Sequence, residues 1–294
     1  MTDTLPNLQK QLPEKNIEIV RLVIAAAERL EIPAFIVGAA ARDIIFGHIY
    51  NVEIYRETTD IDFGIAVESW ARYGRLKHTL IEAGEFRADN KVGHRLWRGR
   101  NADEMKIDFI PYGSIEFTAG RIAFPPDGDF VMNTDGFAEA YQNSLTVRLT
   151  EDLKVRIVSP AGLAVLKFIS YDDRPQIRIR DLQDILFIMK NYLDADNEKR
   201  LYENRDGNLL EDEDFDLRTV GARLLGRDMA KLLTAQTKQI IFKHLSDDES
   251  EKGLTRTAET AQRAEEMFDD ELPEVVEMFR QLRQGITENL QNNR

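Results

Sequence analysis

Apolar residues recur at helical spacing through "KNIEIVRLVIAAAERLE", residues 15–31. Ile17, Val20, Val23, Ile24, Ala27 and Leu30 fall on one face, which predicts an amphipathic helix, and Pro33 breaks it. "PAFIVGAAARDIIFG" then predicts a short strand over 35–37, a turn at Gly38 and a helix over 40–46 that Gly47 ends. The looser segment "HIYNVEIYRET" leads into "TTDIDFGIAV", whose alternating apolar positions predict a strand. "ESWARYGRLKHTLIEAG" returns to helical period, with Trp70, Tyr73, Leu76, Leu80 and Ile81 on one face and Gly84 as its stop. "GHRLWRG" and "EMKIDFIPYG" predict two strands of a hairpin. Short strands and turns follow over 115–158, with "FPPDGD" as a loop.

The pattern changes near Ser159. "SPAGLAVLKFISYDD" places Ser at a helix N-cap and Pro at the first helical position. "RIRDLQDILFIMKNYL", "DLRTVGARLLGRDMAKLL" and "DELPEVVEMFRQLRQGI" continue as helices, separated by the acidic stretches "LLEDEDFD" and "LSDDESEKG". The expected fold is α+β. A mixed sheet flanked by helices occupies about 1–150, and a helical half occupies 151–294.

Composition narrows the chemistry. The chain's 294 residues suffice for two ordinary domains. No cysteine is present, which excludes disulfides, thiolate metal sites and cysteine nucleophiles. His48, His78, His94 and His244 lack the spacing of a zinc site. The N-terminus shows no signal-peptide pattern, and no run approaches the ~20 apolar residues of a membrane span, so the expectation is a cytoplasmic protein. A net charge of -13 disfavours non-specific binding of long nucleic acid. A local groove remains open at "HRLWRGR", where Trp97 lies among Arg95, Arg98 and Arg100 and an aromatic can stack a base.

The carboxylates carry the sharper signal. Asp60 and Asp62 flank Ile61, and residues two apart share a strand face, so both acids point away from Ile61 and Phe63. In "EMKIDFIPYG", Asp108 points away from the apolar set Met105, Ile107 and Phe109. If the two strands are neighbours, three carboxylates converge on one patch. Such a cluster repels itself unless cations neutralise it, and hard oxygen ligands beside a triphosphate suit Mg²⁺, with two ions expected, able to activate an attacking hydroxyl and stabilise a leaving pyrophosphate. An exposed polar face on an amphipathic strand explains the acids equally well. Upstream, the strand–glycine–helix junction at Gly38 offers backbone N–H groups to phosphate, and Arg42 is positioned for a triphosphate as a bidentate donor. Asp43 is expected to pair with a nearby cation or backbone N–H. Lys167, alone on the apolar helix "GLAVLKFI", needs a partner, which a triphosphate or Asp181 would supply, unless it reaches solvent from a helix edge.

"VGAAARD", "TTDIDF" and a later single Asp together resemble the DNA polymerase β-like nucleotidyltransferase superfamily, and within it the AbiEii/AbiGii toxin-type nucleotidyltransferases. "VSPAGLAVLKFISYDDRPQIRIRDLQDI" is similar to their helical signature of a Lys followed by an Arg/Lys-Asp pair. The resemblance implies a nucleotidyltransferase-fold sheet whose helical second half completes the nucleotide and acceptor site. It implies Asp60, Asp62 and Asp108 as metal ligands and catalytic residues. It implies Gly38, Arg42, Lys167 and Asp181 as the nucleotide-binding set, and the later motif falls on Arg180 and Asp181, with Asp184 as a further candidate. The implied reaction is Mg²⁺-dependent transfer of a nucleoside monophosphate from an NTP to an acceptor hydroxyl on tRNA or protein. A toxin–antitoxin or phage-defence role with a cognate antitoxin goes with it. A small-molecule acceptor, or a non-catalytic nucleotide- or partner-binding module on the same fold, are the alternatives. Position 39 is Ala where the family usually has Gly or Ser.

Overall fold

A computed structural model describes residues 6–56, 58–203, 206–212, 216–246, 253–263 and 271–292. The acidic stretches 213–215 and 247–252 lie outside the described residues. The chain divides into two compact units at Ser159/Pro160.

The first unit is built on a seven-stranded mixed sheet. Its strands are β1 (Ala34–Val37), β2 (Asp60–Ala66), β3 (Phe86–Ala88), β4 (Arg95–Arg98), β5 (Met105–Tyr112), β8 (Leu145–Thr150) and β9 (Leu153–Ile157), in the order β3-β4-β5-β2-β1-β9-β8. β6 (Arg121–Ala123) and β7 (Val131–Asn133) form a separate small ribbon. β2 runs antiparallel to β1 and parallel to β5, while β4 and β5 form the expected antiparallel pair. β9 joins β1 in parallel and β8 in antiparallel pairing, so the first unit extends past 150 to Ser159.

Period-2 alternation decides the faces. Ile61, Phe63, Ile65, Leu96, Ile107 and Phe109 are buried, and the Phe63 and Phe109 rings stack at 5.8 Å. Helices α1 (Glu14–Arg29) and α3 (Trp70–Glu82) cover this side. The Tyr73 hydroxyl of α3 donates to Phe109 O at 2.9 Å, and Glu18 of α1 pairs with Arg98 of β4 at 2.8 Å. The predicted helix faces hold at Val20, Val23, Ile24 and Ala27, and at Tyr73, Leu76 and Leu80. Ser69 caps α3 by accepting from Arg72 N.

Two local features differ from the sequence expectation. Helix α2 (Gly38–Arg42) starts at Gly38 itself, and it widens into a π-helical turn through Asp43–Ile49 without stopping at Gly47. Gly47 serves close packing there, because a Cβ would lie 2.7 Å from Ile54. A short helix, α4 (Phe137–Gln142), also interrupts the region expected to hold only strands and turns.

The second unit is helical: α5 (Pro160–Asp173), α6 (Ile179–Lys190), α7 (Leu217–Met229), α8 (Ala235–His244), α9 (Gly253–Arg263) and α10 (Leu272–Asn292). α7 and α10 cross closely at two glycines. A Cβ on Gly226 would stand 2.1 Å from Leu282 O, and one on Gly285 would stand 2.0 Å from Arg223 O. Both obstacles are helix backbone, which cannot rotate aside as a side chain can. Arg223 and Arg227 of α7 then hold Glu288 of α10, and Arg227 also reaches Asp206 at 3.0 Å.

Gly226→Ala and Gly285→Ala should therefore each destabilise the protein by about 1–3 kcal/mol through overpacking. Urea unfolding of the full chain measures this. A midpoint that does not move contradicts the close crossing.

Candidate active site

Strand register places the three predicted acids. β2 and β5 align Asp60 with Lys106 and Asp62 with Asp108, and β4 and β5 align Arg95 with Asp108 and Trp97 with Lys106. β3 adds Arg87 opposite Trp97. Side chains at paired positions share a face, so two rows cross the sheet. One reads Asp62–Asp108–Arg95, and the other Asp60–Lys106–Trp97–Arg87. This face is opposite to the one that α1 and α3 cover, and its polar side chains are half-exposed at Asp60, Asp62, Lys106, Asp108, Arg95 and Trp97.

Like charges directly opposite each other destabilise a sheet, and this one answers with cations. Arg95 grips Asp108 with two parallel bonds, Nε to Oδ1 at 2.8 Å and Nη2 to Oδ2 at 2.9 Å. The Asp108 carboxylate raises the Arg95 pKa further. Lys106 pairs with Asp60. His94 Nε2 stands 4.0 Å from Asp108 Oδ2, with its ring stacked on Phe130. Burial pushes the Tyr73 phenol well up, and the nearby Asp108 charge adds to the shift.

Asp62 depends on Gly38. That residue has φ +69°, and a Cβ on it would lie 2.1 Å from Asp62 Oδ2. Glycine is required twice, for the left-handed backbone and for the space the carboxylate fills. Gly38 thus lies directly against Asp62.

Arg42 does not behave as predicted. Its guanidinium is fully buried and is spent on the protein. Nε and Nη2 donate to Asp43 Oδ1 at 2.8 and 2.6 Å, Nη2 also donates to Arg56 O at 2.6 Å, and Nη1 donates to the Tyr55 hydroxyl at 3.2 Å. Asp43 in turn accepts from Thr58 N at 2.9 Å, and the Thr58 hydroxyl accepts from Asp60 N at 3.3 Å. The pair therefore clamps the segment that delivers Asp60, and it leaves no donor fork directed at a triphosphate. Asp43 finds both partners expected of it, a cation and a backbone N–H.

Lys167 lies in the second unit, within α5. Of its open partners the structure selects the acids: Nζ is 2.7 Å from Asp181 Oδ1 and 2.5 Å from Asp184 Oδ2. Burial works against its charge, but the two carboxylates outweigh that and raise the Lys167 pKa above its ordinary value. This triad ties α5 to α6.

Whether Asp60, Asp62 and Asp108 fit a divalent ion is a question of donor set and arrangement. The donors are hard carboxylate oxygens on adjacent strands, the chemistry Mg²⁺ takes. Among the described residues no group of three acids or histidines is gathered tightly enough to hold a metal ion. Asp60 is paired with Lys106 and Asp108 with Arg95. The three acids thus share one face without forming the closed cluster that the sequence suggested. The donor chemistry fits a hard cation, and in this structure Lys106 and Arg95 supply the positive charge at Asp60 and Asp108.

The sequence missed His94, which reaches Asp108 only through the β4–β5 pairing. It misassigned Arg98, which points to the other face and meets Glu18 and Glu85. Parity alone separates Arg98 from Arg95 and Trp97.

The sequence profile of the family described as Nucleotidyl transferase AbiEii toxin, Type IV TA system, matches residues 46–279. That span includes Asp60, Asp62, Asp108, Lys167 and Asp181, and Gly38 and Arg42 precede it. A comparison with curated proteins finds no match. Among solved structures, the chain is similar to the antibiotic-resistance factor ANT(2'')-Ia at 17% identity, over 68% of this chain and 97% of that one, with TM-score 0.35. An antigenic nucleotidyltransferase-like protein from Paracoccidioides brasiliensis gives 17% identity over 69% and 94%, with TM-score 0.40. A CCA-adding enzyme in complex with ATP gives 17% identity over 85% and 52%, with TM-score 0.34. Among the described residues no helix is long and apolar enough to cross a membrane.

The buried clamp makes a prediction. Arg42→Met strands Asp43 without its cation and should cost about 3–5 kcal/mol of stability by chemical denaturation. A surface phosphate ligand would change stability by no more than about 0.5 kcal/mol, and that result would return Arg42 to the nucleotide.

Proposed function

The chain belongs to the AbiEii nucleotidyl transferase family and is therefore a nucleotidyltransferase, and from that premise we propose that Asp60, Asp62 and Asp108 are its metal-binding catalytic carboxylates. The observation that carries the reading is the register of β2 against β5, which sets Asp62 beside Asp108 with Asp60 two residues along the same face. In this reading a nucleoside monophosphate passes from an NTP to a hydroxyl on tRNA or protein. Bound Mg²⁺, as one ion or two, supplies charge neutralisation for the triphosphate and activates the attacking hydroxyl.

The chain's own residues do the rest. Asp60 and Asp62 offer oxygens from one strand and Asp108 from the next, so sheet rigidity fixes their spacing. Gly38 lets Asp62 lie against the start of α2 and keeps backbone close to the acids, where a phosphate oxygen is recognised. Arg42 and Asp43 act at one remove, by holding Thr58 and through it Asp60. A triphosphate would have to draw Lys167 away from two carboxylates, so Asp181 is counted as the lysine's holder. Catalysis of this kind is positioning and electrostatic stabilisation, with little covalent chemistry for the protein to perform. A toxin with a cognate antitoxin is the cellular role that family membership favours.

Asp62→Asn tests the reading, because it keeps shape and removes charge. With each α-labelled NTP, Mg²⁺ and a pool of RNA and protein, the wild type should label an acceptor. The variant should lose about 10²–10³-fold of that rate while its circular dichroism is unchanged. Equal labelling by the variant overturns the assignment.

A further inference from the structure

The polar face does not end at the carboxylates, since the row through Lys106 runs on by Trp97 to Arg87 at the sheet edge. β3 is the terminal strand there, and Trp97 and Arg87 sit one and two strands beyond Lys106. Trp97 is half-buried, on the opposite side of the sheet from the helices. Its indole N–H donates to Asp89 Oδ2 at 2.7 Å, which pins the ring at one edge. Asp89 is itself locked by the Lys91 and Val92 backbone amides. The Lys91 amide, then the indole, then the Val92 amide hold the Asp89 carboxyl down at about 2, so the anchor is intact at neutral pH. The guanidinium carbons of Arg87 and Arg95 lie 5.5 and 5.8 Å from the Trp97 ring centroid. Arg95 links this assembly to the acids, because it also holds Asp108.

We propose that Trp97, with Arg87 and Arg95, is a stacking subsite for a base at the single-stranded end of an RNA acceptor. The inference rests on the nucleotidyl-transfer reading and adds to it the place where the acceptor is held. A fixed, half-exposed indole beside planar guanidiniums is a flat π surface, and every nucleobase offers a matching face. Trp70 is equally half-buried, but its neighbours are the rings of Tyr73 and Phe124, whereas Trp97 lies between two guanidiniums. Position agrees with the chemistry. Trp97 is the diagonal neighbour of Asp108 across β4 and β5, so the two lie about 7–8 Å apart. A base stacked there brings its own or the next ribose hydroxyl to the acids. The patch carries acids as well as cations, since Arg87 pairs with Glu104 and Arg95 with Asp108. Stacking is therefore its main source of affinity, and salt should weaken binding less than it does for a purely cationic groove.

The test is binding of a 3′-hydroxyl single-stranded oligoribonucleotide to the full chain, read by fluorescence anisotropy and by quenching of Trp97 emission in a Trp70→Phe background. Trp97→Leu, which keeps apolar bulk and loses the indole, should weaken binding about tenfold or more. Trp97→Phe should restore most of it, and the oligonucleotide should quench the Trp97 signal. Unaltered affinity in Trp97→Leu, absent quenching, or labelling of protein acceptors alone would overturn the subsite. The two readings fail separately. An oligonucleotide that binds through Trp97 while no RNA or protein is ever labelled sinks the transfer reading alone. Transfer that ignores Trp97 sinks the subsite alone.

Discussion

Two carboxylates face each other across neighbouring parallel strands at Asp62 and Asp108, with Asp60 on the same side. That juxtaposition is unfavourable by itself, and much of the first unit's polar face is arranged around it. Arg95 and Lys106 neutralise two of the acids from the next positions of the same rows. Gly38 gives up its side chain so that the third can lie against the turn. The buried Arg42–Asp43 pair holds the approach to β2, and a buried pair is retained at a desolvation cost that apolar packing would avoid. The cost makes sense for a segment whose end must be placed accurately.

Much of this was legible in the sequence, and the reason is period. Alternation in "DIDFGIA" and "MKIDFIPY" separates the acids from Ile61, Phe63, Ile107 and Phe109 without any knowledge of the fold. The adjacency of the two strands was a supposition, and it holds because a parallel crossover through α3 and the β3–β4 hairpin returns the chain beside β2. What local pattern does not encode is burial. "AAARD" reads the same whether Arg42 faces solvent or is enclosed by the segment at Tyr55–Arg56, 13 and 14 residues later. For the same reason "GLAVLKFI" does not encode the partner of Lys167, which α6 supplies as Asp181 and Asp184. His94 had no local signal at all. Arg98 did have one, since a strand cannot present residues 95, 97 and 98 on one side.

The helical unit illustrates the opposite balance. Its glycines at 226 and 285 stand inside helices, where propensity disfavours them, and only the crossing of α7 and α10 explains them. Its ion pairs form a connected network, in which Arg200 reaches both Asp206 and Asp228 and Tyr192 donates to Asp228 at 2.6 Å. Those groups are paired with one another and read as structure. The first unit differs in that its pairs gather on one face of a sheet, around Asp60 and Asp108.

If Asp60, Asp62 and Asp108 hold metal as proposed, Lys106 and Arg95 must release the acids they now pair with. The most direct measurement is anomalous diffraction from crystals grown with Mn²⁺ and a non-hydrolysable NTP. The account predicts manganese coordinated by Asp60, Asp62 and Asp108, with Lys106 and Arg95 moved off the oxygens they now hold. Manganese bound elsewhere, or a nucleotide seated with both ion pairs intact, would contradict it.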